Sequence, residues 1–389
     1  MALVFTQTPP TLSLAQSPVA FSVFENTGLY SGSEFQYTCQ LTYWTGSVAS
    51  SGSYDYFLTK FPNTSGVGIF DVSRVLNSAL DQLSYEYSSS VLYYKTSFNY
   101  NYLSGSGVRA SGSTNLTSGY FKALDGYALF PEPINQNVPS KSVHWPLMTD
   151  GPVTSSVTPS DTGFLGVYVG QTGATIPTKI VYTKIGSTSS DITVTGSTDS
   201  TGQIVRVPYA PSQSLFPLTV TDGNAYTIQA YSASTALGTP LYIGVECAYK
   251  YTPIRILWKN RYGQFDYLNF YKAHYITFGT EQRTYQPQLG SWDATSLTYN
   301  VNQNNTQKYI VNTNETLEVN SDWLQQDWNE LYKQLLVSDE VYWSYDMPNN
   351  LVKPLAVVTN NVRFKTGVNE KLIQYTVQFS VGQTFKLII

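Results

Sequence analysis

The sequence predicts a mainly β protein: antiparallel β-sandwich domains with two short helices, and a C-terminal region in which a sheet is flanked by one α-helix. Three observations carry this. From Glu34 to Trp44, the residues Phe35, Tyr37, Cys39, Leu41 and Tyr43 alternate with Gln36, Thr38, Gln40 and Thr42, the period of two that an antiparallel strand with one dry face requires. The 389 residues include 32 tyrosines and 27 glycines, while charged residues make up 12 %, about half the usual quarter. Aromatic and β-branched residues favour pleated surfaces, and good helix formers are scarce. Finally, the apolar runs are short and punctuated by Gly, Ser, Asn and Pro, which suits strands joined by turns.

Taken in order, residues 1–150 form a first domain. Ala20–Phe24, Tyr54–Phe61 and Val91–Tyr102 join Glu34–Trp44 as strands, and the Gly/Ser-rich stretches Thr45–Ser53 and Ser104–Gly119 read as mobile loops. One helix interrupts them: Asp71 can cap it, and Phe70, Val72, Val75, Leu76, Ala79 and Leu80 make its apolar stripe. Pro131, Pro133, Pro139, Pro146 and Pro152 then break regular structure and mark a boundary.

Residues 151–250 form a second domain with seven short strands. They are Phe164–Val169, Lys179–Lys184, Asp191–Thr195, Gln203–Val207, Leu215–Val220, Ala225–Tyr231 and Leu241–Tyr249, the spacing of an immunoglobulin-like sandwich. Residues 251–389 form the third. It opens with a hairpin in which Ile254, Ile256 and Trp258 share one face and Arg255, Leu257 and Lys259 the other, with a turn at Asn260–Gly263. A second helix spans Asp322–Val337, capped by Ser321 or Asp322, with Leu324, Trp328, Leu331 and Leu335 as its buried stripe. Strands at Glu340–Trp343, Leu351–Val358, Val362–Lys365 and Leu372–Val381 complete the sheet on which it lies.

Catalytic patterns are missing from the sequence. The two histidines, His144 and His274, neighbour no Cys or carboxylate in ligand spacing, and HExxH, paired CxxC, P-loop and GxSxG strings do not occur. Gly105-Ser-Gly107 sits in a Ser/Gly stretch without a following helix. No metal or cofactor is expected, and His144, beside Trp145, reads as a packed side chain. Cys39 falls on an apolar strand face and reads as a buried free thiol. A net charge of −4 without a basic cluster argues against nucleic acid. No run of about 18 apolar residues argues for membrane insertion, and the N-terminal MALVFTQTPPTLSLAQSP lacks the pattern of a secretory signal. Tyr30, Tyr54, Tyr100 and Tyr102, in polar surroundings, are candidate interface aromatics, since Tyr offers rigid amphipathic contact area for proteins or sugar rings.

The string Trp258-Lys-Asn260-Arg261-Tyr-Gly263-Gln-Phe-Asp266, followed by Phe270, resembles a family of virion structural proteins of tailed bacteriophages. Ser321-Asp322-Trp323-Leu324, the run Leu335–Tyr342 and the closing Leu372–Val381 strand fit the same pattern. The resemblance covers about 251–389 well. It reaches loosely to Pro18–Phe21 and Gly68–Val72, and the middle region looks variable. It implies a non-enzymatic protein repeated around a symmetry axis of the particle, at the tail tip or baseplate, a connector, or a head fibre. The implied partners are further copies of itself and other virion proteins, after synthesis in the host cytoplasm. Trp258, Asn260, Arg261, Gly263 and Asp266 are then structural, with Arg261 expected to pair with Asp266. Two rival readings stand beside this one: a host-glycan-binding adhesion module, and a glycan depolymerase using paired carboxylates in the first region.

Overall fold

The computed structural model describes residues 3–31, 34–45, 53–80, 91–112, 115–129, 142–169, 176–187, 189–194, 203–221, 223–288, 290–292, 294–298, 302, 304–346, 351–364, 374–382 and 386–388. It is mainly β, with antiparallel sheets and two α-helices among the described residues. The chain divides into two compact units where the sequence suggests three domains. One comprises Met1–Cys247 with Lys259–Asp266, the other Ala248–Trp258 with Tyr267–Ile389. The expected boundary near 150 fails because the ranges on either side share a core: Leu12, Leu14, Leu124 and Met148 cluster with Tyr168, Ile204 and Tyr262.

In the first unit, a three-stranded antiparallel sheet (Leu3–Gln7, Ala20–Glu25, Val67–Asp71) shares a core with a seven-stranded one. The path of the larger sheet runs Leu12–Leu14, Phe121–Leu124, Leu92–Leu103, Gln36–Thr45, Tyr54–Lys60, so Tyr54–Lys60 is an edge strand. The alternation in Gln36–Thr45 is borne out in burial: Tyr37, Cys39 and Leu41 are fully buried while Gln36, Thr38 and Gln40 are half-buried. Burial pushes the Cys39 thiol up to about 12, so it behaves as a small hydrophobe rather than a nucleophile. The helix forms over Ser73–Leu80; Asp71 accepts the Ser73 N–H at 3.0 Å, and Val72, Leu76 and Leu80 are buried. The Ser104–Gly119 stretch departs from its reading as a loop, because Arg109–Ser111 and Leu116–Thr117 pair with the Leu92–Leu103 strand. Residues 46–52, together with Pro131, Pro133 and Pro139, lie outside the described residues.

The later part of this unit holds a five-stranded sheet (Thr154–Val157, Thr235–Val245, Ala225–Ser232, Lys179–Lys184, Ser189–Thr193) and a two-stranded one (Phe164–Val169, Gln203–Pro208). Among the described residues two pairings are parallel, Thr154–Val157 with Tyr242–Val245 and Leu12–Leu14 with Lys122–Leu124. The strand expected over Leu215–Val220 does not form. Leu215 has a positive φ of 67° and is exposed, and Phe216 turns inward to meet the rings of Tyr182 and Tyr226 at 5.7 and 5.1 Å. Phe216 serves a loop that packs on those rings, which a periodicity argument cannot tell from a strand.

The second unit is organised by an eight-stranded antiparallel sheet. Its order is Phe265–Phe270, Ile254–Lys259, Val341–Asp346, Leu351–Val357, Thr376–Val381, Gln307–Asn320, Tyr275–Tyr285, with Lys386–Ile388 beside Gln307–Asn320. Leu324, Trp328, Leu331 and Leu335 pack with Ile256, Trp258, Phe270, Leu317, Val377 and Phe379 in one cluster. The helix itself starts later than expected: a 3-10 turn at Gln326–Trp328 leads into Asn329–Val337. Neither expected cap is used. Asp322 accepts from the adjacent Trp323 N–H and pairs with Lys272, while Ser321 accepts the Tyr375 N–H. Val362 and Phe364 pack on the core without forming a strand, and Leu372 and Ile373 lie outside the described residues.

Candidate functional site

The hairpin that carries the distinctive string is buried on both faces of its first strand. Every residue of Ile254–Lys259 is at most 5 % exposed, the charged Arg255 and Lys259 included. Arg255 donates to Asn269 Oδ1 at 3.1 Å and lies 4.7 Å from the centre of the Tyr267 ring. The turn is drawn together by Asn260, whose Oδ1 accepts the N–H groups of Tyr262 and Gln264 at 3.0 and 3.1 Å. That is the local backbone bonding for which Asn suits turns. Gly263 takes a φ of 73° and its N–H closes on the Asn260 carbonyl at 2.9 Å.

Lys259–Asp266 meets residues 125–127 and 148–150 of the same unit in a buried polar cluster. Lys259 Nζ lies 2.7 Å from Asp125 Oδ2, with both side chains at most 6 % exposed. The approach is ionic and off the hydrogen-bond axis, since Asp125 Oδ2 makes no aligned bond. Asn260 Nδ2 donates to the Met148 carbonyl at 2.9 Å. Arg261 pairs with Asp150, and its Nη2 donates to Tyr262 Oη at 2.8 Å, which in turn donates to Asp150 Oδ1 at 2.6 Å. Burial, and then the Asp150 charge, hold the Tyr262 phenol far above its ordinary range, so it acts here as a hydrogen-bond donor. The expected Arg261–Asp266 pair is thus corrected: the guanidinium reaches Asp150, more than a hundred positions away in sequence, and Asp266 takes hydrogen bonds from Thr149 and Asn260 instead.

Asp266 is 6 % exposed, and its carboxyl is pushed up to about 7. Burial is the main cause; Asp150 adds to it, and the Thr149 and Asn260 hydrogen bonds oppose it. Two cations and two carboxylates of the cluster already balance, so a charged Asp266 would be a third buried anion. A carboxyl poised near neutrality is also what a general acid needs, but here it is enclosed with its partners inside the scaffold. Its folded value lies above the unfolded value of 3.8. The stabilisation it brings is therefore whole below about pH 4, falls as pH rises towards 7, and is gone above that. We expect the stability difference between the native chain and Asp266→Asn to change across this window by up to about 1.4 kcal/mol per pH unit. Urea unfolding of both proteins from pH 4 to 8 measures it, and parallel curves would refute the assignment.

The four candidate aromatics separate. Tyr54 is 66 % exposed. Tyr100 is instead a core residue, 7 % exposed and stacked on Phe35 at 5.4 Å. Tyr102, half-buried, stacks on Tyr100 at 6.2 Å, and Tyr30, also half-buried, packs against Phe24 and over Gly66. Tyr100 is buried between half-buried Asn99 and Asn101, which alternation in Leu92–Leu103 explains after the fact. Sequence reasoning missed Tyr56 and Phe57, 46 and 64 % exposed on the same edge strand as Tyr54. Beside them a cleft of about 710 Å³ is lined by Tyr43, Trp44, Tyr54, Tyr56, Arg74 and Ser78, among others, between that strand and the Ser73–Leu80 helix.

A second surface has no legible signal in the sequence. Tyr275–Tyr285 pairs along its length with Gln307–Asn320, and every one of its eleven residues is exposed. Tyr275, Ile276, Phe278 and Tyr285 stand at 60, 50, 55 and 47 %. Apolar residues fall on both faces of this ribbon, so its sequence shows no clean alternation.

His144 is fully buried, with Nδ1 2.8 Å from the Thr239 carbonyl and Nε2 3.0 Å from that of Gly151. It is a packed side chain bridging two backbone segments. Among the described residues, no group of three or more His, Cys, Asp or Glu could hold a metal ion, and no helix is long and apolar enough to cross a membrane. No protein-family profile matches the chain, and no curated protein matches it.

Proposed function

We propose that this chain is a non-enzymatic structural subunit of a tailed-phage virion, assembling as a symmetric oligomer and attaching or scaffolding tail and baseplate parts. The observation that carries the subunit reading is the Tyr275–Tyr285 strand, whose apolar side chains are left wet on both faces in an isolated chain. Repeated copies around a symmetry axis cover such surfaces. The virion setting rests on the likeness of the Trp258–Asp266 string, the Ser321–Leu324 and Leu335–Tyr342 runs and the Leu372–Val381 segment to phage structural proteins. The buried ion cluster supports a scaffold: its charged groups are spent on one another, inside. Mass measurement of the purified chain across concentration, with antibody labelling of intact phage particles, tests the proposal. Oligomers and labelled particles are expected. A strictly monomeric chain and unlabelled particles would overturn it.

A second reading, adhesion to a host glycan, is favoured by the cleft beside Tyr54 and Tyr56. Flat aromatic faces suit sugar rings, and Arg74 offers a hydrogen-bond donor. It predicts binding on a glycan array that falls at least about tenfold in Tyr54→Ala, the loss of one aromatic contact. An array with no bound glycan removes this reading.

A further inference from the structure

The Tyr275–Tyr285 strand ends its sheet. One side pairs with Gln307–Asn320, and among the described residues no strand pairs with the other, which is the sheet's edge. At about 3.4 Å per residue, eleven residues present roughly 37 Å of backbone edge. Proteins that stay monomeric blunt such edges with proline, bulges, repeated charge or a covering segment. This strand, YITFGTEQRTY, contains no proline and carries a single charge of each sign, Glu281 and Arg283; the register shift in its pairing, between Arg283 and Thr284, puts the extra residue, Tyr309, on the partner strand. The two sit two positions apart and so on one face. Their neighbours across the ribbon are Asn312 and Ile310, which are uncharged.

We propose that this edge pairs antiparallel with the same edge of a second copy, about a two-fold axis through Gln282. The inference rests on the subunit reading above and adds to it an in-plane interface at the strand's edge, separate from the face contacts that would cover its apolar side chains. A two-fold axis normal to the sheet keeps each face on its own side, so residues that oppose one another must have matching orientation, and the axis must pass through a residue. An axis through Glu281 or Arg283 sets like charges against each other. One through Thr280 sets Glu281 against Gly279 and Arg283 against Thr277, leaving the charges without ionic partners opposite. Through Gln282, Glu281 of each copy faces Arg283 of the other, twice over. The same register puts Thr280 opposite Thr284 and lays Tyr285 across Gly279. Opposite charges, threonine pairs and an aromatic over a glycine are all favourable cross-strand neighbours. The partner chemistry that fits this edge is therefore its own.

The test has two arms. In Gln282→Cys the cysteines oppose each other on the axis, where paired Cα atoms about 4.5–5.5 Å apart are within disulfide range. Mild oxidation is expected to give a covalent dimer, whereas Ile276→Cys, far from its own symmetry mate, stays uncross-linked. In the second arm, Glu281→Arg sets arginine against arginine at both ends and is expected to weaken dimerisation about tenfold or more. The swap Glu281→Arg with Arg283→Glu restores it. Circular dichroism and melting of each variant confirm that the exposed substitutions leave the fold intact. If oligomers form but neither cross-linking nor the charge changes affect them, the subunit reading survives and this interface is wrong. A chain that stays monomeric, because another protein or none occupies the edge, overturns the interface together with self-assembly.

Discussion

Gly263→Ala is expected to destabilise the fold by roughly 4 kcal/mol or more, at the upper end for a single added methyl. Two effects act together. The position has a φ of 73°, where an L side chain is strained by about 1–2 kcal/mol. A Cβ there would also overlap the Asp125 carbonyl oxygen, and neither backbone can yield easily. The Tyr127 N–H is bonded to the Arg261 carbonyl at 2.9 Å, and a Cβ added at Gly126 would overlap that same carbonyl. Gly28 supplies the control. Its φ is 86°, but nothing lies within 4 Å of its would-be Cβ, so Gly28→Ala should show the backbone strain alone. Urea midpoints of the two variants separate strain from collision. Equal losses would mean that the 125–127 and 260–263 segments do not meet as described.

Lys259→Met is expected to cost about 3–5 kcal/mol, because it leaves a buried carboxylate without its cation. Asp125 would keep only the Gln16 amide, which donates to Oδ1 at 3.0 Å. The companion change Asp125→Leu, combined with Lys259→Met in a double variant, should recover most of the loss, since removing both charges removes the desolvation penalty as well. An exposed pair gives the comparison: Lys333 and Glu330 are 2.5 Å apart but about half exposed, and Lys333→Met should cost under about 1 kcal/mol. If Lys259→Met proved as mild as Lys333→Met, the Lys259 ammonium would have to be reaching water.

Legibility in the chain varies from residue to residue. The Gln36–Thr45 strand and the Val72–Leu76–Leu80 stripe can be read because their burial follows from local period alone. The helix after Ser321 is legible but its start is not, since Ser321 and Asp322 bond elsewhere and so do not cap it. Sequence reasoning does poorly with the exposed tyrosines. Tyr100 and Tyr54 look alike in sequence, and what separates them is that one lies in a central strand of the seven-stranded sheet and the other in its edge strand. For Arg261, proximity in sequence points to Asp266, whereas its partner Asp150 is brought by a separate segment.

By itself, then, the order of residues determined a β-rich chain, the identity of most strands, the helical stripes and the turn at Asn260–Gly263, because each follows from interactions a few positions long. Tertiary structure alone decided which charges were enclosed together, which aromatic rings face water, and that every residue of one strand at a sheet edge is exposed. Those depend on which distant segments become neighbours, and exposure is a property of neighbours rather than of the residue that bears it.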